Sequence, residues 1–450
     1  MSEAGAAVPP SKSLTVPVTN RHKLMMLAAT AGRMGVGLLT FILLARYLGP
    51  EKFGVIATAL AYATFFCVVT DYGLAISAIR NASARQEEAS NVVSDALSTK
   101  LVLTAAAVLV GAILLVLIVP ADRIGIFALV FFGASAYSYG DLAMVALRAR
   151  RRFEVEAAIV LSSAVLMLVI TGGVAAATRS LGWSAVAFAV SRAFYVVITL
   201  GVLRKVGLPL HLNMSAERIR QTLVTSSGFA LDSILTALSS QIDMLLYGAL
   251  LTAHDVGIYQ AGARLCQAII PVAVVLSTVY MPALSSSAIN GDAQGFRRTS
   301  NRLLIEFTAL AIIGGLAFAF AGPFVTHLLY GGRYDALKPL WPGFGAFVML
   351  RFASAAFGIQ LAAAGRVKVR IFSQIAAGCV LLLAAPLLLP SHGLAITSNL
   401  VALSACLNFL ILSGGVLYAQ MGQRAVQFAC QASVLAGAGM IYAATLSGMT

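Results

Sequence analysis

The sequence predicts an all-α polytopic membrane protein with about twelve transmembrane helices in two lobes of six. Three observations predict it. Of 450 residues, 60% are hydrophobic and 11% charged, and the mean hydropathy is +0.91, whereas a soluble chain carries about 25% charge. The apolar residues form unbroken blocks such as "LVLTAAAVLVGAILLVLIVP" (101–120), close to the ~20 residues that cross a bilayer core. A transmembrane barrel would show ~10-residue alternating segments instead. Finally, "ARYLGPEKFGVI" (45–56) and "GALLTAHDVGIY" (248–259) share an outline 203 residues apart.

Residues 1–23 are polar and rich in Ser, Pro and Thr, a composition that predicts a disordered cytoplasmic tail. The first apolar run has no A-x-A cleavage site and reads as a retained span, not a signal peptide. Spans follow at 24–46, 54–79, 96–119, 124–147, 154–178 and 181–203, the N-terminal lobe (24–203). The longest inside loop, 204–224, is the inter-lobe linker. The C-terminal lobe (225–418) holds spans 225–250, 257–281, 302–329, 340–364, 367–389 and 392–418. A terminal segment, 419–450, carries a thirteenth, Ala/Gly-rich apolar run at 425–447. Hydrocarbon leaves no backbone group unpaired, so each span is expected to be a helix.

At an offset of 203, Leu48 matches Leu251 and Gly54 matches Gly257. "RSLGWSAVAFAV" (179–190) and "SHGLAITSNLVA" (391–402) open spans 6 and 12 at an offset of 211. Six being even, the halves share one orientation, as parallel repeats do in transporters with a site between them. Gly49-Pro50 and the two matched glycines break the helices, which predicts corresponding corners of the two lobes on the outer rim.

Lys and Arg on alternate loops number 21 on one side and 6 on the other, the first side including Arg80, Arg85 and Lys100. Positive charge is retained in the cytoplasm, so the N-terminus is expected on the cytoplasmic side. The net charge of +14 is then a topology signal spread over short loops, and nucleic acid is not an expected partner. The five cysteines lie in apolar runs without C-x-x-C, so no disulfide, metal or cofactor is predicted. The five histidines cluster nowhere in sequence.

Four arginines fall inside spans: Arg33, Arg192, Arg264 and Arg351. So do Asp71, Asp141, Asp232, Asp243 and Glu306. An ionisable group at bilayer depth costs at least ~2.5–3.5 kcal/mol and faces a cavity or a partner. Salt bridges that fix helix packing are one reading of these charges. The other is a binding site, because the planar guanidinium fork suits phosphate and several arginines around a cavity suit a diphosphate headgroup.

Five segments carry a family resemblance: "LARYLGPEKFGVIATALA" (44–61), "QIDMLLYGALLTAHDVGIYQAGARL" (241–265), "VYMPALS" (279–285), "LLYGGRYDALKPL" (328–340) and "AAAGRVKVR" (362–370). In order and spacing they resemble bacterial oligosaccharide and O-antigen flippases of the Wzx type, in the multidrug/oligosaccharidyl-lipid/polysaccharide (MOP) exporter superfamily. The resemblance implies two six-helix lobes around a central cavity open alternately to either side. It implies export of an undecaprenyl-diphosphate-linked oligosaccharide to the outer leaflet, with membrane lipids, a glycan polymerase and export machinery as partners. Related lipid II flippases carry arginines in helices 1 and 8, which Arg33 and Arg264 match, and Arg80 fits a basic position near the inside end of helix 2. The expected substrate-binding set is Arg33, Arg264, Arg351, Arg192 and Arg80, with Asp243 or Asp71 coupling an ion gradient. No Walker-type phosphate loop is present, and no outside loop is long enough to suggest an enzyme. An ion-coupled multidrug or toxin antiporter of the same superfamily is the competing expectation.

Overall fold

The computed structural model describes residues 20–84, 86–419 and 423–447. Most of the expected tail, 1–19, lies outside them, as does Arg85. The described residues form helices α1 (Asn20–Asp71), α2 (Leu74–Ala84), α3 (Ala89–Ile118), α4 (Ile124–Ala143), α5 (Val145–Ala149), α6 (Phe153–Met167), α7 (Gly173–Thr178) and α8 (Leu181–Lys205). After the linker come α9 (Ala216–Leu250), α10 (Ala253–Gln267), α11 (Ile270–Ile289), α12 (Ala293–Tyr330), α13 (Trp341–Ala363), α14 (Val367–His392), α15 (Thr397–Tyr418) and α16 (Arg424–Ser447). Among the described residues, nine helical stretches are long and apolar enough to cross a membrane.

Several expected spans are interrupted. Helix α1 contains spans 1 and most of 2, broken at Gly49 (φ 79°) into arms 20–48 and 50–71. The second arm ends at a turn through Tyr72 and Gly73, both at positive φ. Expected span 8 is two helices, α10 and α11, parted at 268–269 with Pro271 in the first turn of the second. A π-helical turn at Leu168–Gly172 joins α6 to α7. The thirteenth run is helix α16, packed on α12 and α13.

The repeat has a structural meaning. The second arm of α1 starts at Pro50 and α10 at Ala253, offset by the same 203 residues. These two helix starts lie against each other. A Cβ on Gly54 would sit 1.7 Å from the Ala253 carbonyl oxygen, and one on Gly257 would sit 1.9 Å from that of Pro50. Only two bare backbones can approach so closely. Around this contact one apolar core runs through both lobes, from Leu44, Leu48 and Phe53 of α1 to Val256, Leu337 and Phe344. The Tyr334 hydroxyl caps it by donating to the Ala45 carbonyl at 2.9 Å.

The opposite end of the lobe boundary is polar. Ser77 of α2 and Ser226 of α9 share a hydrogen bond of 2.6 Å, and Arg218 pairs with Asp95 at 3.5 Å. The linker is shorter than expected, since α9 already begins at Ala216. It lies extended along α3, where Ser90 donates to the Pro209 carbonyl. The His211 and Asn213 amides donate to Ser94 and Ser98 at 3.0 and 2.7 Å. Four helical residues rise about 6 Å and two extended residues about 6.6 Å, so the serine spacing and the loop spacing match.

Substituting Gly54→Ala is expected to force the glycine corners apart. Overpacking of this kind costs about 1–3 kcal/mol, so the closed corner should lose roughly 5–150-fold in population. Thiol labelling of a Val256→Cys reporter measures this. The reporter site is 1% exposed and should be protected until Gly54→Ala is added; unchanged labelling would show that the contact does not hold the corner.

Candidate functional site

Charged and amide side chains within the helices gather in three places. The first is a cavity of about 340 Å³ in the C-terminal lobe. Asp243 of α9 lines it and accepts a 2.6 Å hydrogen bond from the Tyr259 hydroxyl of α10. The Tyr259 ring is held edge-on to Tyr247 at 4.7 Å and against Phe344 at 5.5 Å, which aims its hydroxyl at the carboxylate. Arg351 of α13 lines the same cavity, and its guanidinium has no hydrogen bond or ion pair with any described residue. Gln241, Gln374 and Asn408 add amides, and Met34 of α1 forms the wall toward the N-terminal lobe.

The second place is the lobe boundary itself. Arg264 of α10 stands 4.2 Å over the Phe41 ring of α1, a contact worth ~0.5–2 kcal/mol depending on desolvation. It donates to Gln267 Oε1 at 3.2 Å. With its amide turned to satisfy both atoms, Gln260 accepts from Arg264 Nε at 2.8 Å and Nη2 at 3.1 Å. All these partners are neutral, so the positive charge is held in place without being cancelled.

The third place is a network inside the N-terminal lobe. Arg33 of α1 donates to the Tyr137 hydroxyl at 2.6 Å and lies 4.0 Å from Asp141. Arg148 binds Asp141 at 3.2 Å and buried Glu156 at 2.6 Å. Arg192 of α8 sits over the Tyr137 ring at 4.4 Å and Phe188 at 5.3 Å, while Tyr137 stacks on Tyr195 at 5.3 Å. Thus Tyr137 joins Arg33 through its hydroxyl and Arg192 through its face.

Two candidates stand apart. Asp71 is bound by Lys100 and by Ser138, whose hydroxyl lies 2.9 Å from each carboxylate oxygen. This corrects the expectation for Lys100, which is a buried partner on α3, 1% exposed, and not a loop charge. Arg80 is at the polar end, 5.1 Å over Phe229 of α9. Of the other acids, Glu306 pairs with Arg302 at 2.9 Å, and the side chain of Asp232 lies outside the described residues. Sequence reasoning missed Tyr137, Gln260, Gln267, Gln374 and Asn408 because it searched for side chains charged at neutral pH. Amides inside apolar spans, which bond across helices in hydrocarbon, were the available signal.

The sequence profile of the polysaccharide biosynthesis protein family matches residues 22–288. No curated protein matches the chain by sequence. Among solved structures, a lipid II flippase MurJ in an inward closed conformation is similar at TM-score 0.71 and 13% identity, covering 95% of this chain and 93% of that one. An inward-facing multidrug resistance MATE family transporter of the MOP superfamily is similar at TM-score 0.63 and 15% identity, covering 89% and 95%. A eukaryotic MATE transporter, AtDTX14, gives TM-score 0.60 at 15% identity, covering 94% and 99%. At these identities the likeness is one of fold, the two-lobed helical fold common to them.

The pairing of Asp71 with Lys100 predicts an asymmetric mutational result. Asp71→Asn leaves a buried ammonium without its counter-charge and should destabilise by about 3–5 kcal/mol. The double variant Asp71→Asn/Lys100→Met should recover most of that in a detergent melting experiment. A double variant no more stable than the single one would assign Asp71 a role beyond the pair.

Proposed function

The chain belongs to the polysaccharide biosynthesis protein family, and from that premise we propose that it flips an undecaprenyl-diphosphate-linked oligosaccharide to the outer leaflet of the bacterial inner membrane. The observation that carries this reading is a pair of guanidiniums, Arg264 and Arg351, at or beside the lobe boundary, that form no ion pair with a carboxylate among the described residues. A diphosphate supplies the missing negative charge and matches the guanidinium fork. Arg264 grips the headgroup at the boundary and Arg351 receives it from the cavity side. Arg33 and Arg192 act together through Tyr137 as an aromatic-backed basic wall. Arg80 makes an initial contact at the polar end, which in this reading faces the cytoplasm together with the N-terminus. The polyprenyl tail stays in lipid, and a glycan polymerase and export machinery take the product.

Flipping here is a rocking of the lobes and needs no covalent step. Energy enters through Asp243, whose carboxylate faces a cavity and is held by a neutral hydroxyl. Asp71 is the weaker seat for coupling, because Lys100 already offsets its charge. One charge moving through the membrane potential is worth ~2.3 kcal/mol per 100 mV, enough to bias such an equilibrium. Asp243 also supports a second reading, an ion-coupled multidrug antiporter, since a carboxylate in a cavity suits an organic cation.

The test is the leaflet distribution of the lipid-linked glycan in cells lacking this chain, read with an impermeant probe. Cytoplasmic accumulation reversed by the natural chain is expected, with Arg264→Ala restoring roughly 10–150-fold less, the loss of a charge-assisted hydrogen bond of ~1.5–3 kcal/mol. A normal outward distribution, with no second flippase present and with increased drug susceptibility, would replace the flippase reading with the antiporter.

A further inference from the structure

A second cavity, of about 440 Å³, lies inside the C-terminal lobe among α11, α13, α14 and α15. It adjoins the Asp243 cavity, because Arg351, Phe352, Gln374 and Asn408 line both. Its chemistry is different. Arg351 and Arg370 both line it, and no Asp or Glu does. Neither guanidinium has a hydrogen bond or ion pair with a described residue. One further polar atom among its lining residues is an orphan that can donate: Ser354 Oγ is buried and unpartnered, on a residue 3% exposed. Buried polar groups are normally satisfied, and an exception marks an ion, a water or a ligand that completes the set. Two arginines from different helices, a hydroxyl donor and the Gln374 amide form a convergent donor set for a tetrahedral oxyanion.

We propose that this cavity is a phosphoryl-anion site within the C-terminal lobe, separate from the Arg264 position, in which Arg351 and Arg370 clamp a diphosphate and Ser354 and Gln374 donate to its remaining oxygens. The site reaches from the shared Arg351 to Arg370, four residues into α14. An anion held by both arginines therefore lies beside the Asp243 cavity, whose lining includes Arg351 but not Arg370. The diphosphate can be a lipid headgroup or a free anion, and the donor set is the same for both. The inference does not rest on flipping: the two guanidiniums and the buried Ser354 hydroxyl lack partners among the described residues whatever the cargo.

Binding to the purified full-length protein in detergent tests it, with inorganic pyrophosphate and farnesyl diphosphate as the probes. Arg370→Gln should weaken the binding of both by about 10-fold or more, the usual scale for losing a charged hydrogen bond. Gly358→Met tests the same site without removing a charge. A Cβ there meets nothing nearer than Arg370 Nε at 3.9 Å, so the longer side chain fills the cavity and should abolish the same binding event. Tighter binding of farnesyl diphosphate than of pyrophosphate identifies a lipid headgroup as the occupant, and equal binding identifies a free anion. Unchanged affinity and stoichiometry in both folded variants would overturn the proposal. Lys338→Gln, an exposed loop charge outside both cavities, serves as the control and should leave this event within about 2-fold; the flippase reading is read from leaflet distribution instead, so its failure and failure of this site give different results.

Discussion

The approach of two bare backbones at Gly54 and Gly257 sets the geometry of the lobe boundary. Each glycine lies in the first turns of a helix, and each would drive a Cβ into the other helix's carbonyl oxygen. Because the backbones meet, α1 comes close enough to share a core with α10 and α13, and Tyr334 reaches the Ala45 carbonyl. The same proximity places Phe41 under Arg264 and Met34 against the C-terminal cavity. The two ends of the boundary are therefore chemically unlike. One is a dry core. The other is a serine pair, an ion pair and a cation over a ring, beside a polar cavity of about 670 Å³. Parting the polar end exchanges hydrogen bonds for water at a net ~0.5–1.5 kcal/mol each. Parting the glycine end strips packing from a continuous apolar surface, so the two ends have different opening costs.

The lobes also treat buried charge differently. In the N-terminal lobe Asp71 has Lys100, and Asp141 and Glu156 have Arg148 with Arg33 nearby. Removing one member of such a pair is costly, while the intact pair adds little net stability; the gain is a fixed arrangement of α1, α3, α4 and α6. In the C-terminal lobe, Arg264 has a ring and two amides, and Arg351 and Arg370 have cavities. Neutral partners orient a cation and leave its field intact, which is the property an anion site needs.

Much of the fold was legible because hydrocarbon restricts the possibilities: the blocks of apolar residues became helices, and the offset of 203 residues located the paired corners. What the pattern could not show was that the corners touch. Periodicity gives helices, and only a glycine on each side of one contact reports the contact. Breaks at 72–73 and 268–269 were missed although Gly73 and Pro271 stand at them, because one glycine or proline inside a long apolar run does not by itself end a span. For the site, the mid-span arginines were readable as costly. Their compensation was not, because partners such as Tyr137 for Arg33 lie 104 residues away. Lys100 shows the converse error: near a predicted span end, it looked like a topology charge until Asp71 and Ser138 were found around it.

The cavity shared by Asp243 and Arg351 holds one acid and one base that are not ion-paired with each other, since Asp243 is bound by Tyr259 and Arg351 by no described residue. Had they paired, each would have cancelled the other and the cavity would be electrically quiet. Kept apart around one space, they interact through a medium of low effective dielectric, where charges attract more strongly than in water. Under the proposed function this arrangement couples two ligands without a moving part. An anion at Arg351 removes a positive charge that opposes a cation at Asp243, so each ligand favours the other. By linkage the two effects are equal in free energy. Tyr259 is then the residue that makes the coupling available, because it fixes the carboxylate with a neutral hydroxyl where a basic partner would have consumed its charge.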